Sequence, residues 1–507
     1  MSRTRNVGSG RTRVVGLVLL AVLVGAPLAI ASALPGASAA SPPVAPGVSP
    51  VEGQQFSGNW TQVNDPAATN GTAVMLGSDG ASVATTTVDG SYTLNFRVKS
   101  SAARVALTLN GQQVGTAVLY TGAWQTVSVP VRVTGAPTWG VQQLPAVGYT
   151  AQPLYLDWMS LQVATPGYTT AGNKIIAPDG SQFVPRGVVR DGFQYQPTGP
   201  YYMSDNDFQA MYLWGSTVVR LPLDQMQWLS TSCNYDSTYA SRLDAAVQSI
   251  TSRGMVALLT LSRAAAGQAC GTGQLVPMAD DYSIPFWTQV ANRYKNNPLV
   301  AFDLFNEPHD ISEAVWHDGG MVGSPAWHAV GMQQLYNTVR GTGATNVLFI
   351  SGTNWAFNID VSLRRPIDGY GIVYGTHLYN PPESGPVRSD ADGVVTPVAA
   401  RYPVAVTEFG TSSGTALYNQ NVIAFAEQRG IGWMAFKWYS LPSTYALLND
   451  FTTYTPSPAG APVEAALLKA RGWTPLGGPP APVPTTVATA TAKTAAAKAP
   501  VKAPVKK

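Results

Sequence analysis

Two glutamates in this chain of 507 residues stand in sequence contexts that suit acid–base or nucleophilic chemistry. Glu307 lies in the segment Leu304–Pro308 and Glu408 in the segment Val406–Gly410, about a hundred residues later. The sequence has only seven glutamates, and these two come where an apolar run of strand length ends. Two carboxyl groups with different pKa values can serve as proton donor and nucleophile in the cleavage of a glycosidic bond. We therefore expect Glu307 and Glu408 to form one hydrolytic site.

The segment that carries these glutamates predicts an α/β domain. Between residues 168 and 474, apolar runs alternate with helical stretches, which is typical of parallel β/α units. Eight candidate strands can be assigned: Phe183–Val189, Thr217–Leu223, Val256–Ser262, Leu299–Phe305, Asn346–Ser351, Gly371–His377, Pro403–Phe409 and Trp433–Trp438. Amphipathic helices are predicted at Ser241–Arg253, Phe286–Asn296, Trp327–Thr342 and Tyr418–Arg429. Eight such strands predict a (β/α)8 TIM barrel, whose active site lies at the C-terminal ends of the strands.

Other polar and aromatic residues also lie at the ends of the candidate strands. They are Arg220 in the second strand, Asn306 after the fourth, His377 and Tyr379 at the sixth, and Trp438 at the eighth. Together with the two glutamates, this ordered set resembles glycoside hydrolase family 5, the cellulase-like family of retaining barrel enzymes. The resemblance covers nearly all of residues 168–474. It implies double-displacement hydrolysis of a β-glycan, with a β-glucan as the expected substrate.

The resemblance also implies a role for each matching residue. Glu307 is the expected acid/base and Glu408 the expected nucleophile. The other expected roles are a hydrogen bond to the sugar 2-hydroxyl for Asn306, support of the nucleophile for Arg220, positioning for His377 and Tyr379, and sugar stacking for Trp438. Trp355 follows the fifth candidate strand, where it either lines a sugar subsite or packs in a loop. The remaining histidines show no metal-ligand spacing, so no catalytic metal or cofactor is expected.

One segment departs from the family pattern. The family usually places a histidine after the third strand, whereas this chain reads Leu261-Ser262-Arg263-Ala264. A subsite contact is therefore missing or supplied by another residue. Two alternatives to an endo-acting glucanase stay open: an exo-acting glycosidase or transglycosylase on short glycosides, and a carbohydrate-binding protein with an inactive barrel.

Residues 51–163 predict a separate all-β domain. Short runs with period-two alternation, such as Tyr92–Val98 and Val105–Leu109, are divided by turn signals, which is typical of a β-sandwich. The segments Glu52–Phe56, Tyr120–Thr126 and Leu156–Leu161 resemble the jelly-roll carbohydrate-binding modules of families 6 and 35. The resemblance implies that this domain binds polysaccharide.

The same resemblance implies a structural calcium ion in this domain. Glu52 and Asp157 match the acids that hold calcium in those modules, although Gln54 stands where another acid is more common. The aromatic residues Trp60, Trp124, Trp139 and Tyr149 either pack in the core or stack on sugar rings. The sequence does not decide between these two roles.

The two ends of the chain predict an exported protein. Residues 1–39 combine four arginines with an apolar stretch and small-residue sites, which is the pattern of a secretory signal peptide. Residues 40–50 form a Pro/Ala/Ser linker, and residues 475–507 form a Pro/Ala/Thr/Lys tail that we expect to be disordered. In an exported protein, Cys233 and Cys270 are expected to form a disulfide between the loops after the second and third strands.

The charge distribution indicates which partners to expect. The formal net charge of +3 comes from arginines at the N-terminal end and lysines at the C-terminal end, and acids outnumber bases between them. No basic stripe interleaved with aromatic residues is present, so nucleic acid is not an expected partner. We expect a secreted, extracellular monomer that binds a polysaccharide or oligosaccharide and has no membrane partner after signal cleavage.

Overall fold

The computed structural model describes residues 58–473, except residues 70, 78–79, 85–88, 136, 146–150, 165–166, 196, 272 and 382. The predicted signal peptide and linker lie outside the described residues, as does the predicted tail. Glu52, half of the predicted calcium site, and Tyr149 also lie outside them. Within the described part of the chain, no helix has the length and apolar character needed to span a bilayer.

Two antiparallel sheets form the N-terminal part of the described chain. Their strands are β1 Trp60–Asn64, β2 Thr72–Leu76, β3 Ala81–Ala84, β4 Gly90–Lys99, β5 Ala103–Leu109, β6 Gln112–Leu119, β7 Gln125–Val133, β8 Thr138–Leu144 and β9 Leu154–Val163. One sheet has the order β1-β2-β9-β4-β7 and the other β3-β8-β5-β6. Alternate residues of β4, namely Leu94, Phe96 and Val98, are buried in a cluster that both sheets share. The period-two alternation thus reflects one buried face on each sheet.

A closed barrel of eight parallel strands follows, as predicted. A small antiparallel sheet precedes it, with strands β10 Thr169–Ala171, β11 Lys174–Ile176 and β12 Gln182–Phe183. The first four barrel strands are β13 Arg186–Val189, β14 Val218–Asp224, β15 Val256–Arg263 and β16 Val300–Asp303. A separate hairpin follows, with strands β17 Gly320–Val322 and β18 Trp327–Ala329. The last four barrel strands are β19 Leu348–Ser351, β20 Ile372–Leu378, β21 Val404–Phe409 and β22 Gly432–Ala435. Each barrel strand overlaps one of the eight candidates.

Helices cover the outside of the barrel. They are α1 Asp205–Leu213, α2 Gln225–Trp228, α3 Tyr239–Thr251, α4 Ser283–Tyr294, α5 Glu313–Asp318, α6 Met332–Gly341, α7 Val361–Arg364, α8 Ala391–Ala399, α9 Ala416–Gln428 and α10 Ala461–Arg471. The prediction of one helix over Trp327–Thr342 was wrong at its start, because Trp327–Ala329 is strand β18. The helix begins only after Gly331, where a Cβ atom would lie 2.4 Å from the backbone of Gly319. That close approach of two backbones ends the hairpin and precedes the helix.

The barrel strands read as nearly continuous apolar runs because both of their faces are buried. One set of strand residues, including Leu221 and Leu259, packs in a cluster with helix residues such as Phe286. The alternating set, including Leu258 and Val373, forms a cluster with residues from all eight strands and therefore fills the barrel interior. Polar side chains replace these apolar ones toward the C-terminal ends of the strands, where the interior opens into a mouth.

The sandwich contacts the end of the barrel that is opposite to the mouth. Arg104 of β5 forms an ion pair with Asp368, with 2.6 Å between Nε and Oδ1. Thr116 of β6 donates its backbone N–H to the carbonyl of Gly369 at 2.7 Å, and the Gly369 N–H donates to Thr116 Oγ1 at 2.8 Å. The barrel residues in these contacts precede β20, so they lie at the N-terminal end of that strand. The sandwich therefore does not line the mouth at the C-terminal ends of the strands.

Candidate active site

The two predicted carboxylates meet at the C-terminal mouth of the barrel. Glu307 follows β16, and Glu408 lies within β21. An irregularity in the pairing of β20 with β21, at Thr376 and His377, brings His377 opposite Glu408. Such bulges change the direction of side chains next to active sites. Oxygen atoms of Glu307 and Glu408 and a ring nitrogen of His377 all lie within 4.8 Å of one another.

Glu408 accepts hydrogen bonds from two buried donors. Arg220 Nη1 lies 2.9 Å from Glu408 Oε2, and the hydroxyl of Tyr379 lies 2.8 Å from Glu408 Oε1. Both donors stabilise the ionised carboxylate, and the guanidinium adds a positive charge. Glu408 is thus held as an oriented anion, which is the state that a nucleophile requires.

Arg220 connects Glu408 to two other residues of the site. Its Nη2 donates to Asn306 Oδ1 at 2.7 Å, and its Nε donates to Asp303 Oδ2 at 3.0 Å. Arg220 and Asp303 are both fully buried. The planar guanidinium therefore fixes the positions of an amide and two carboxylates at once. Asp303 is a site residue that the sequence analysis missed.

Glu307 has a different set of partners. His377 Nδ1 lies 2.8 Å from Glu307 Oε1, and Asn306 precedes Glu307 in the chain. Burial raises the pKa of Glu307 to about 6, against the opposing effect of Arg220. Burial also lowers the pKa of His377 to about 4, so this ring is neutral near neutral pH. Glu307 therefore holds a proton over much of the mildly acidic range.

Burial raises the pKa of Glu408 as well as that of Glu307. Two carboxyls at this separation titrate as a pair, and one proton is shared between them. Glu408 accepts the hydrogen bonds from Arg220 and Tyr379, whereas Glu307 has a neutral imidazole. The shared proton consequently resides on Glu307.

Trp438 does not have the exposed position that sugar stacking requires. Its side chain is 0% exposed and packs edge-to-face on Trp214, with 4.7 Å between ring centroids. Phe436, two residues earlier, directly follows β22 and packs against the cluster inside the barrel. Phe436 is partly buried, and its ring packs edge-to-face on Tyr445, which in turn packs on Tyr379 of the site. The prediction failed because β22 ends three residues before Trp438.

Trp355 lies beside the segment that follows Glu307. Its ring is 45% exposed and stacks on His309, with centroids 3.6 Å apart and planes 8° from parallel. The N–H of Trp355 donates to the carbonyl of Pro308 at 2.9 Å. Asn354, Trp355 and Ala356 all have positive φ, between 54° and 61°. Three consecutive residues other than glycine in this conformation are strained, and such strain is often retained at binding sites.

Arg263 occupies the segment that lacks the family histidine, and a second cationic side chain, Lys437, follows the last barrel strand. Arg263 ends β15, and its Nη2 lies 3.3 Å from the hydroxyl of Tyr195. Lys437 follows β22 and forms an ion pair with Asp191, with 3.0 Å between Nζ and Oδ2. Asp191 and Lys437 follow neighbouring strands of the closed barrel, so they meet at the mouth. A sequence signal for this pair existed, since Asp191 stands two residues after the first candidate strand and Lys437 is the penultimate residue of the eighth.

Cys233 and Cys270 form a disulfide, with 4.8 Å between their Cα atoms. It joins the chain after β14 to the chain after β15. These segments are neighbours at the mouth, so the covalent link limits their separation close to Arg263.

The described half of the predicted calcium site does not fit a cation. Asp157 is buried, and its Oδ2 lies 2.6 Å from Arg97 Nη1. The backbone N–H and hydroxyl of Thr69 also donate to the same carboxylate, at 3.0 and 2.8 Å from Oδ2. A carboxylate that is neutralised by a guanidinium and bound by two further donors has little capacity left for calcium. The second expected ligand, Glu52, lies outside the described residues.

At the mouth, Glu307, His377 and Glu408 are close enough to hold a metal ion. However, the Glu307 carboxyl is already bound to His377, and the Glu408 carboxyl is bound to Arg220 and Tyr379. We assign no catalytic step to a metal.

Comparison with known proteins identifies relatives for the barrel. The sequence model of the family described as Cellulase (glycosyl hydrolase family 5) matches residues 182–441. Endoglucanase 1 of Saitozyma flava is 31% identical over 173 residues, which are 33% of this chain and 49% of that protein. Endoglucanase EG-II of Hypocrea jecorina is 25% identical over 205 residues, which are 36% of this chain and 46% of that protein. The chain thus spans about half the length of these curated relatives.

A solved structure supports the fold. A β-glucanase of Saccharophagus degradans, determined in complex with cellotetraose, aligns with a TM-score of 0.50 and 21% sequence identity. The alignment covers 61% of this chain and 95% of that one. At 21% identity, the similarity shows that the two chains share the barrel fold.

Proposed function

The chain belongs to the cellulase family, glycosyl hydrolase family 5, and on that basis we propose that it is a secreted, retaining β-glycosidase that hydrolyses a β-glucan. The observation that carries this proposal is the pair Glu307 and Glu408, with carboxyl oxygens within 4.8 Å at the mouth of the barrel. Retaining enzymes separate these groups by about 5 to 5.5 Å, whereas inverting enzymes need about 6.5 to 9.5 Å to admit a water molecule. The short separation favours direct attack by a carboxylate.

The proposed reaction has two steps. In the first, Glu408 attacks the anomeric carbon while Glu307 gives its proton to the leaving oxygen, so a glycosyl ester forms as the glycosidic bond breaks. In the second, Glu307 takes a proton from water, and the resulting hydroxyl group replaces Glu408 on the same carbon. Arg220 and Tyr379 hold Glu408 throughout, and Asn306 is oriented by Arg220 toward the expected sugar 2-hydroxyl.

The experiment that tests this function is release of reducing ends from a panel of soluble β-glucans, mannans and xylans by the purified full chain. We expect the largest kcat/KM on a β-glucan, with internal cleavage that lowers viscosity early in the reaction. Early release of only monosaccharide or disaccharide would favour the exo-acting alternative. No release from any polymer or aryl glycoside would favour the inactive barrel.

The pH dependence of this activity should follow the state of Glu307. Its pKa is raised to about 6, and the acid must be protonated for the first step, so kcat/KM should fall as pH rises above about 6. On the acid side, activity should fall when Glu408 takes up a proton and can no longer attack. A profile of kcat/KM on soluble glucan should therefore be bell-shaped, with apparent pKa values that belong to the pair. A profile that stays flat from neutral pH into the alkaline range would contradict this assignment.

We further propose that Trp355 forms a subsite for the leaving-group side of the substrate. It lies beside Pro308 and His309, immediately after the acid that protonates the leaving oxygen. Its exposed ring and strained backbone fit a fixed platform for a sugar ring. Asn306, Arg220, His377 and Tyr379 belong to the reacting centre, and Phe436 replaces Trp438 as the aromatic residue proposed for the glycone side.

Replacing Trp355 with alanine should reduce kcat/KM on a polymeric glucan by about tenfold, because one aromatic contact of this type contributes about 1 kcal/mol or more. Activity on an aryl glycoside whose leaving group is shorter than a sugar should change much less. Leu213→Ala is the control, since Leu213 is 41% exposed at the end of α1, which leads to the N-terminal end of β14, away from the mouth. Equal losses on both substrates would contradict a leaving-group subsite.

For the sandwich, we propose polysaccharide binding at a surface separate from the catalytic mouth. The two sheets are compatible with the jelly-roll modules of families 6 and 35 that the sequence resembles. Trp139 is fully buried and Trp60 packs against the core, so they are poor candidates for sugar platforms. Trp124 is partly exposed, with the ammonium group of Lys99 4.9 Å from its ring centroid. Trp124 is therefore the proposed contact with polysaccharide.

A further inference from the structure

Three buried polar atoms beneath the catalytic pair have no hydrogen-bond partner in the described part of the chain. They are Oδ1 of Asp303, Oγ of Ser351 and Nε2 of His377. The three residues are 0%, 0% and 2% exposed, respectively. Buried polar atoms without a partner are rare in proteins, since each costs the free energy of lost hydration. Because three such atoms occur at one site, we looked for a single hydrogen-bond partner that they could share.

The pairing of the strands places these atoms in the same part of the barrel. The strands β16, β19 and β20 are consecutive neighbours in the closed barrel. Asp303 pairs with Phe349, two residues before Ser351, and Ser351 pairs with Gly375, two residues before His377. Side chains two residues apart on a strand point to the same face. Asp303, Ser351 and His377 therefore all point into the barrel, at rising levels toward the mouth.

Gly375 carries no side chain between Ser351 and the level of His377, two residues later. A Cβ atom at this position would lie 3.6 Å from Ser351 Oγ, 3.0 Å from Thr407 Oγ1 and 3.1 Å from Thr407 Cγ2. The glycine thus keeps a methyl group out of a region that two hydroxyl groups border. A polar space of this kind suits a water molecule, which typically makes about three hydrogen bonds when it is buried.

The hydrogen-bonding capacity of the three atoms is also complementary to one water. In the tautomer in which Nδ1 of the neutral His377 ring carries the proton and donates to Glu307 Oε1, Nε2 is an acceptor. Asp303 Oδ1 is an acceptor too, and these two acceptors cannot bind each other. Ser351 Oγ can donate. One water that donates to both acceptors and accepts from the serine satisfies all three atoms.

We propose that Asp303, Ser351 and His377 hold one buried water molecule, which joins the acid/base side of the catalytic site to the nucleophile side. By donating to His377 Nε2, this water keeps the ring proton on Nδ1, where it is directed at Glu307. The same water also contacts Asp303. Asp303 accepts a hydrogen bond from Arg220, and Arg220 in turn donates to Glu408. Ser351 is thus a positioning residue that acts on Glu307 through the water and His377.

Two substitutions test whether the water site exists. Ser351→Ala removes one partner and keeps the space, whereas Gly375→Ala places a methyl group in the space. Ser216→Ala is the matched control, because Ser216 is also fully buried with an unpartnered hydroxyl but lies two residues before β14, at the opposite end of the barrel. If Gly375→Ala does not fold, Ser351→Ala alone still tests the proposal.

The test uses the full chain and reads out the site itself. A high-resolution crystal structure should show one ordered solvent peak within hydrogen-bond distance of all three atoms. Nitrogen NMR of protein labelled in histidine should show the Nδ1–H tautomer of His377 in the wild type and a mixture of tautomers in Ser351→Ala and Gly375→Ala. Density without such a peak, or a tautomer unchanged in both variants, would overturn the proposal.

The effect on turnover rests on the glycosidase function proposed above. For Ser351→Ala we expect kcat on soluble glucan to fall about fivefold, the effect of one ordinary hydrogen bond, with KM unchanged because the water does not touch substrate. Ser216→Ala should leave both constants unchanged. A rise in KM with kcat retained would contradict positioning of Glu307. If no glucan were cleaved at all, the proposed function would fail, while the density and the tautomer would still decide the water site.

Discussion

Replacing Glu408 with glycine should lower kcat/KM by about 10⁴-fold or more, and added azide should restore turnover of an activated aryl β-glycoside. The glycine leaves a space where the carboxylate attacked, and azide is small enough to enter it and attack from the same side. Because only one displacement then occurs, the product should be the α-glycosyl azide. Mass spectrometry and NMR of the product identify both the azide and the anomer.

Glu307→Ala should respond differently. Substrates with good leaving groups need little protonation, so their glycosylation step should survive, whereas hydrolysis of glucan should fall by about 10² to 10⁴. Azide should now attack the glycosyl ester on Glu408 and give the β-glycosyl azide. Glu313→Gly is the control, since Glu313 lies in a surface ion pair with Arg364. If Glu408→Gly and Glu307→Ala gave the same azide anomer and the same dependence on leaving group, the two roles would be wrong.

Replacing Arg220 with methionine should reduce both stability and activity. The change leaves Asp303 and Glu408 as buried carboxylates without their cation, and removing one partner of a buried ion pair costs about 3 to 5 kcal/mol in the free energy of unfolding. Without the cation, burial raises the folded-state pKa of both carboxyls further above the unfolded values. The loss of stability should therefore be smallest at acidic pH, where both carboxyls are protonated, and should grow as pH rises.

Urea unfolding followed by tryptophan fluorescence measures this stability, and kcat/KM on soluble glucan measures the effect on the site. We expect kcat/KM of Arg220→Met to fall by about 10²-fold or more, since Glu408 is no longer held as an oriented anion. Arg293→Met is the matched control, because Arg293 pairs with Asp244 at the surface, where such pairs contribute about 0 to 1 kcal/mol. Similar losses of stability in the two variants would contradict the role given to Arg220.

The barrel and the pairing of Glu307 with Glu408 at its mouth were predictable because their signals are local. Each barrel strand is a short apolar run, since both of its faces are buried, and a parallel barrel brings all C-terminal strand ends to one face. Glu307 and Glu408 each stand at such an end. Asp303 also had a local signal, because an acid inside the apolar run Val300–Phe305 needs a buried cation, and Arg220 lies within another strand.

The positions of the Trp438 and Trp355 side chains could not be predicted from local sequence signals. The backbone after β22 turns Trp438 toward Trp214 and the helices, and that turn depends on packing between residues more than 200 positions apart. Trp355 gains its exposed position from three left-handed residues and from a stack on His309, which no pattern in the sequence predicts. The shared proton of the pair likewise depends on which carboxylate Arg220 reaches, and that is a property of the fold.

The central claim is that Glu408 attacks the anomeric carbon directly, and the configuration of the first product tests it most directly. Two displacements at one carbon retain its configuration, whereas attack by water inverts it. Proton NMR of a β-glucan oligosaccharide during the first minutes of hydrolysis, before mutarotation, distinguishes the two anomers of the new reducing end. We predict that the β-anomer appears first and the α-anomer only later, at the rate of mutarotation. Initial release of the α-anomer would contradict Glu408 as the nucleophile.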